Sequence, residues 1–275
     1  MDIVYIGSSA LGLQKLYEQA KFNIIDTICL KSRVNSDLKK TAHKLGHKIK
    51  TFRWIKDFKK LIYAYDNSIP FFVYQLDMLV PGTLTKKYNF FNLHRGNLKT
   101  NRGPNPDIWP ILLGHKTTQM SLHKINHRID LGTLIDTYDV NINQKDDTET
   151  IKDKLEKVIP TLINSMYFYI IGKKKGKKIN RGIYRPWITE DDFTINLEKD
   201  SLITIERKIK SQKKYNGAIV FINKKKKYVT KVLTDLRQKN KKTLKLKLNN
   251  KKIYFIENTK PKYLPPRKFP LSKRI

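Results

Sequence analysis

The first ninety residues alternate short apolar runs with stretches of helical spacing, and this alternation constrains the fold more than any other feature. Residues 3–6 read as a strand that ends at Gly7-Ser8-Ser9, where a helix with apolar Leu11, Leu13 and Leu16 can begin. Residues 24–30 form a second candidate strand, and residues 36–45 a helix that is polar outside. Residues 49–52, residues 71–74 after Pro70, and residues 90–94 add three more strands. A strand–helix–strand rhythm of this kind predicts an α/β fold, a Rossmann-like, mostly parallel sheet with helices on both faces.

The second half changes character. Residues 118–125 and 133–140 read as extended. Residues 147–171 have helical spacing, with Ile151, Leu155, Val158, Leu162 and Met166 on one face and Thr148 and Glu149 at the start. Pro160 is expected to bend this helix. The basic stretch 173–178, broken by Gly176, reads as a solvated loop. Beyond residue 183 come one short helix (201–209) and strands at 217–222, 228–233, 243–248 and 252–257, separated by Lys/Asn turns. The expected organisation is a catalytic domain over 1–180 and a small β-rich C-terminal domain over 181–275. Its basic tail from Pro261, carrying Pro265 and Pro266, is expected to be extended.

The chain holds 57 Lys and Arg against 24 Asp and Glu, a net charge of +33. That excess points to a polyanionic partner. Lysine is spread everywhere beside abundant Asn and Ile, however, so the charge reads as compositional bias and argues for a phosphate-bearing ligand more than for RNA. The single Cys29 lies in an apolar run, excludes an intrachain disulfide, and reads as a buried, inert thiol in a reducing compartment. The N-terminus has no signal-peptide pattern, and the apolar stretch 158–171 is interrupted by Pro160, Asn164 and Ser165, so it is too short to span a bilayer. The expectation is a soluble, cytoplasmic protein with no membrane partner.

Asn92-Leu93-His94 closes the fifth strand. Strand alternation puts Asn92 and His94 on one side, and ligands of open parallel sheets bind beyond the carboxyl ends of strands. An amide and an imidazole together suit acyl transfer: the imidazole takes a proton from an attacking amine, and the amide N–H meets the carbonyl oxygen as it becomes an oxyanion. A carboxylate that orients the imidazole completes such a site, and Asp130, before Leu131-Gly132, is the candidate. His115, His123 and His127 lack a Cys or carboxylate set at ligand spacing, so they read as ordinary loop or surface histidines and no metal is expected.

His94 is followed eight residues later by Arg102-Gly103 and thirty-six residues later by Asp130. With Asn92, these spacings resemble the signature of the 10-formyl-tetrahydrofolate-dependent formyltransferases, a group that includes methionyl-tRNA formyltransferase, the nucleotide-sugar N-formyltransferases and glycinamide ribonucleotide transformylase. The likeness extends from the Gly7-Ser8-Ser9 loop to the start of the C-terminal region around Asn216-Gly217-Ala218. The resemblance implies that Asn92, His94 and Asp130 are catalytic, that 10-formyl-tetrahydrofolate is the co-substrate, and that no metal is needed. The segment 76–81 resembles the family's pterin-holding stretch, so Leu76, Met78 and Leu79 are expected at the folate, with Asn126 where the family often has Asp. Gly96 to Lys99 replaces the common Ser-Leu-Leu-Pro, Arg128 replaces a common Gly, and Thr133 a common Asp. These departures argue for a less common acceptor.

The favoured acceptor is a nucleotide-linked amino sugar, giving an N-formylated sugar for glycan biosynthesis. Arg95, Lys99 and Arg102 are the expected contacts. Trp109 either packs on a base or sugar face or lies in the core. Initiator methionyl-tRNA is the alternative, favoured by the lysine runs at 224–227, 241–242 and 251–252. A catalytically inactive, basic RNA- or partner-binding relative is a reading of another class, and hydrolysis of the folate a possible side reaction. The resemblance to sugar-modifying enzymes also allows a homodimer.

Overall fold

Strand β1 (Asp2–Gly7) is buried from Ile3 onward, on both faces at once: Ile3 and Tyr5 face one core cluster, Val4 and Ile6 the other. A strand covered on both faces must be apolar throughout, which is why this segment reads as a continuous run and not as an alternation. The computed structural model describes residues 1–233, 242–248 and 251–261. After β1 come α1 (Ala10–Tyr17), β2 (Asn23–Leu30), α2 (Ser36–Lys44), β3 (Ile49–Phe52), α3 (Ile55–Tyr63), β4 (Phe71–Tyr74), α4 (Gly82–Lys87) and β5 (Phe90–His94). Side-chain caps start the first two helices: Ser9 accepts from the Gly12 N–H and Asn35 from the Leu38 N–H.

The chain continues through α5 (Trp109–Leu113), β6 (Thr117–Ile125), β7 (Gly132–Asn141), α6 (Thr148–Glu156), α7 (Ile159–Ile170) and β8 (Lys177–Ile179). All eight strands form one sheet in the order β3-β2-β1-β4-β5-β6-β7-β8; the pairings from β3 to β5 are parallel and those from β5 to β8 antiparallel. Strand order reverses between β1 and β4, and a crevice opens there beyond the carboxyl ends of the strands, as in other doubly wound folds.

Two expectations need correction. Residues 147–171 are not one bent helix but two, α6 and α7, with Pro160 in the first turn of the second. A proline in a helix interior removes a hydrogen bond and clashes with the preceding turn, whereas in the first turn its missing N–H has no intrahelical partner to lose. The basic stretch 173–178 is not loop throughout: Lys177 and Lys178 begin β8, which pairs with β7 at the end of the sheet. Lysines suit an edge strand because they oppose further strand pairing.

Beyond β8 lie α8 (Glu190–Phe193), α9 (Leu202–Gln212), β9 (Ala218–Ile222), β10 (Lys225–Leu233), β11 (Thr243–Leu248) and β12 (Lys251–Glu257). These strands make a separate antiparallel sheet, β11-β12-β10-β9, over a small core of Ile205, Ile209, Val229 and Phe255. Helix α9 also binds back to the first unit. It packs on α5 and α6, the Thr148 hydroxyl donates to the Ser211 carbonyl at 2.8 Å, and Lys213 just beyond it lies 2.8 Å from Asp147. Lys241 and the proline-containing tail beyond residue 261 lie outside the described residues. Among the described residues no helix is long and apolar enough to cross a membrane.

Candidate active site

Strand β5 delivers Asn92 and His94 to one side of its carboxyl end, two residues apart. The antiparallel register with β6 sets His123 opposite Asn92 and Ser121 opposite His94. Asn92 Nδ2 then lies 3.0 Å from His123 Nε2. His94 is 6% exposed, and its Nε2 lies 2.8 Å from the Asn101 carbonyl. A carbonyl only accepts, so His94 Nε2 carries a proton. The loop after β5 folds back tightly to make this bond. At Gly96 a β-carbon would come within 2.8 Å of His94 Nε2 and 2.9 Å of the Asn101 carbonyl, so glycine is required by the close approach. The Ser121 hydroxyl pins the same turn by donating to the Gly96 carbonyl at 2.7 Å.

The Arg102-Gly103 pair places Asp130. Arg102 Nε and Nη2 donate to the Ile129 carbonyl at 3.1 and 2.9 Å, and Nη1 donates to the Gly182 carbonyl at 2.8 Å. The neighbouring Gly103 N–H donates to Asp130 Oδ2 at 2.7 Å. Asp130 stands at φ 46°, a left-handed conformation that Asp tolerates better than most residues. Its Oδ2 is 3.6 Å from His94 Nδ1, and its Oδ1 is 3.8 Å from His123 Nε2. The His94 Nδ1 gap is longer than a hydrogen bond. Nδ1 is therefore the ring nitrogen open to a ligand, and a proton there faces the carboxylate.

His123 corrects its reading as a loop or surface histidine. It lies in β6 at 1% exposure. Burial pushes its pKa down to about 4, with the Asp130 charge opposing the shift. A neutral ring accepts at Nε2 from the Asn92 amide, and that bond fixes the amide's orientation. The signal for His123 is the cross-strand register, which no local pattern reveals. His127 is exposed, as expected. Among the described residues no group of three or more His, Cys, Asp or Glu is arranged to hold a metal ion.

These groups line a cleft of about 500 Å³, within the usual range for small-ligand sites. Leu76, Met78, Leu79 and Asn126 line it as well, beside Val80 and Ile125. Asn126 Oδ1 accepts from the Arg128 N–H at 2.8 Å. Arg33 and Asp77, which also line the cleft, form an ion pair at 2.5 Å. Arg95, Asn105 and Asp107 add polar groups to its lining, as do Tyr184, Trp187 and Tyr215 from beyond the eight-stranded sheet. Those three aromatics have no signal in the local sequence. Tyr184 and Trp187 arrive because residues 183–185 pair with the 99–102 loop, with Ile183 N–H donating to the Lys99 carbonyl and Arg185 N–H to the Arg102 carbonyl, whereas Tyr215 follows helix α9, which packs on α5 and α6. Three non-glycine residues with left-handed backbone, Gln75, Asn105 and Asp130, also line the cleft, and strain of this kind gathers at functional sites.

Lys99, Arg102 and Trp109 are not among the residues lining this cleft. Lys99 borders another hollow, with Lys177, Lys178 and Arg181. The Arg102 guanidinium is committed to the Ile129 and Gly182 carbonyls. Trp109 is 9% exposed and its Nε1–H donates to the Pro186 carbonyl at 2.9 Å, so of its two readings packing is the one realised.

No family model matches the chain. Among curated proteins, it is 31% identical over 163 residues to the bifunctional polymyxin resistance protein ArnA of Wigglesworthia glossinidia brevipalpis, covering 56% of this chain and 24% of that protein. It is 24% identical over 243 residues to methionyl-tRNA formyltransferase of Malacoplasma penetrans (strain HF-2), covering 82% and 74%. The matches span 24%, 39% and 54% of the lengths of the first three curated relatives, about a quarter to half. In fold, it is similar to WlaRD, a sugar 3N-formyl transferase crystallised with dTDP and 5-N-formyl-THF, at TM-score 0.67 and 20% identity over 94% of this chain and 98% of that one. A 4-N formyltransferase from Francisella tularensis gives TM-score 0.67 at 18% identity over 82% and 94%. The chain is a relative of the 10-formyl-tetrahydrofolate-dependent formyltransferases. In this formyltransferase relative the α/β fold expected from the sequence is present: a mostly parallel sheet with helices, followed by a separate antiparallel sheet.

Proposed function

We propose that the protein is an N-formyltransferase that moves a formyl group from 10-formyl-tetrahydrofolate to an amine. The observation that carries this reading is the convergence of Asn92, His94 and Asp130 in one cleft, with the open nitrogen of His94 3.6 Å from the Asp130 carboxylate. The acceptor nitrogen attacks the formyl carbon, and the carbonyl oxygen becomes an oxyanion. The Asn92 amide, its orientation fixed by His123, donates to that oxygen. His94 takes the proton of the attacking amine at Nδ1, and Asp130 stabilises the imidazolium. Collapse of the tetrahedral adduct breaks the bond to the folate nitrogen, which leaves with the proton that His94 held. Leu76, Met78, Leu79 and Asn126 are the proposed folate contacts. Residues 1–180 form the proposed catalytic domain, with 181–275 as its smaller companion.

The acceptor in this proposal is a nucleotide-linked amino sugar. The near-complete mutual coverage with a sugar 3N-formyl transferase supports it, as does a cleft whose lining includes Arg95 and the aromatic residues Tyr184, Trp187 and Tyr215. Initiator methionyl-tRNA is the second reading, favoured by the similarity to methionyl-tRNA formyltransferase over 82% of the chain. The test offers purified protein 10-formyl-tetrahydrofolate with a panel of nucleotide-linked amino sugars in one set and methionyl-tRNA in another, with products read by mass spectrometry. The expected result is formylated sugar alone. Formylated tRNA alone would replace the acceptor, and no transfer to either would leave the inactive, partner-binding reading standing.

A further inference from the structure

Arg95 follows His94 directly, lines the cleft, and is 18% exposed. A buried guanidinium ordinarily spends its donors on acceptors, as Arg102 does with three hydrogen bonds. Among the described residues the Arg95 guanidinium makes none. Its charge is balanced at longer range instead. Nη1 lies 3.4 Å from Asp107 Oδ2 and 3.8 Å from Glu156 Oε1. Burial disfavours the charge, but Asp107, Tyr74 and Glu156 favour it and the balance holds its pKa above the ordinary value.

Glu156 is the unusual member of this group. It is the last residue of α6, where the exposed carbonyls of a helix end disfavour a negative charge. It is also buried, at 8% exposure, where an unpaired carboxylate is costly. Its partners are the Tyr74 hydroxyl, donating at 3.2 Å, then Lys152 and Arg95, each at 3.8 Å. Asp107 is equally buried, at 8%. Two carboxylates therefore flank the guanidinium without taking up its donors, an arrangement that holds the group in place and leaves its fork available to a planar or tetrahedral oxyanion.

We propose that Arg95 is a clamp for a phosphate group of the acceptor, and that Glu156 is a positioning residue that holds the clamp. The proposal rests on the formyl-transfer reading, because it makes this part of the cleft the acceptor end. The test measures binding without turnover, by calorimetry, using UDP, dTDP and inorganic pyrophosphate as acceptor-side probes and tetrahydrofolate as the donor-side probe. Arg95→Ala should weaken the phosphate probes about ten- to a hundredfold and leave tetrahydrofolate affinity within about twofold.

Glu156→Gln separates positioning from simple charge. Removing a negative charge beside a phosphate site would by Coulomb's law tighten phosphate binding. A positioning role instead predicts about three- to tenfold weaker binding, with a partial return in Glu156→Asp. Tyr74→Phe, which releases Glu156 without removing it, should act in the same direction and serves where Glu156→Gln does not fold. Unchanged or tighter phosphate binding in both variants overturns the role of Glu156. Unchanged binding in Arg95→Ala, or a wild-type protein that binds tetrahydrofolate but none of the three phosphate probes, overturns the clamp while formyl transfer stands. Phosphate binding that depends on Arg95, with no tetrahydrofolate binding, supports the clamp and removes the formyl-transfer reading.

Discussion

His123 titrates against the fold. An unfolded histidine takes up its proton near pH 6.5, whereas the buried ring resists protonation down to about 4. Between those values the unfolded chain binds more protons, so stability is whole above about pH 6.5 and declines as pH falls. The full loss, about 3 kcal/mol, is reached only below pH 4. Denaturant unfolding across pH 4 to 7 should therefore slope less steeply in His123→Gln, which keeps an acceptor for Asn92, than in the wild type; parallel slopes would show that the ring is not buried neutral. Under the proposed mechanism, His94→Ala lowers kcat by about 10²–10⁴ without loss of folate binding, and Asp130→Asn folds normally but turns over slowly. Single-turnover kinetics and circular dichroism check both. The candidate triad was legible because its members keep fixed spacings along the chain. His123 was not, since its tie to Asn92 runs across a strand pair and no local signal records register. Arg102 was misjudged for a related reason: whether a polar head meets a ligand or a backbone carbonyl depends on where residues 129 and 182 return in space, and the return of residue 186 decides between the two readings of Trp109.

Among the elements, the loop after β5 carries the most geometry for its length. A β-carbon at Gly96 would press on both the His94 ring and the Asn101 carbonyl. Gly96→Ala should cost about 1–3 kcal/mol of stability and depress turnover more than folate binding. Thermal unfolding together with a kcat–KM separation tests this, and a variant with normal kcat would show that the loop yields without moving His94. Strands β1 and β4 were legible because a strand buried on both faces is apolar without interruption. Short α4, with six residues, carries too little periodicity to announce itself, and α3 escaped although its buried Phe58 and Ile62 keep a helical interval. The split between α6 and α7 was misread because a proline in a helical pattern marks either a bend or a beginning. Tertiary packing decides between them.

For the whole molecule, the charge of +33 bears on partners and not on fold. A grip on RNA through six to ten phosphates would lose roughly 10³–10⁵ in affinity between 50 and 200 mM salt. Turnover on a small nucleotide-linked sugar should vary far less over that range. Measuring both in the same salt series decides whether the lysines act as a binding surface: tRNA binding that survives at 200 mM with saturable formylation would assign them to RNA. The α/β class was legible from the rhythm of the first ninety residues. The place of Tyr184, Trp187 and Tyr215 in the cleft lining was not, because it depends on segments that return from beyond the sheet.

That return has a consequence for how the protein is made. The ribosome releases Asn92, His94 and Asp130 well before Tyr184, Trp187 and Tyr215, so a nascent chain holds its candidate reactive groups before the last residues of the cleft lining have been made. Under the proposed function, competence is then expected to arrive with the closing segments and not with the chemistry, and a chain truncated near residue 180 should present an open half-vessel that turns over poorly.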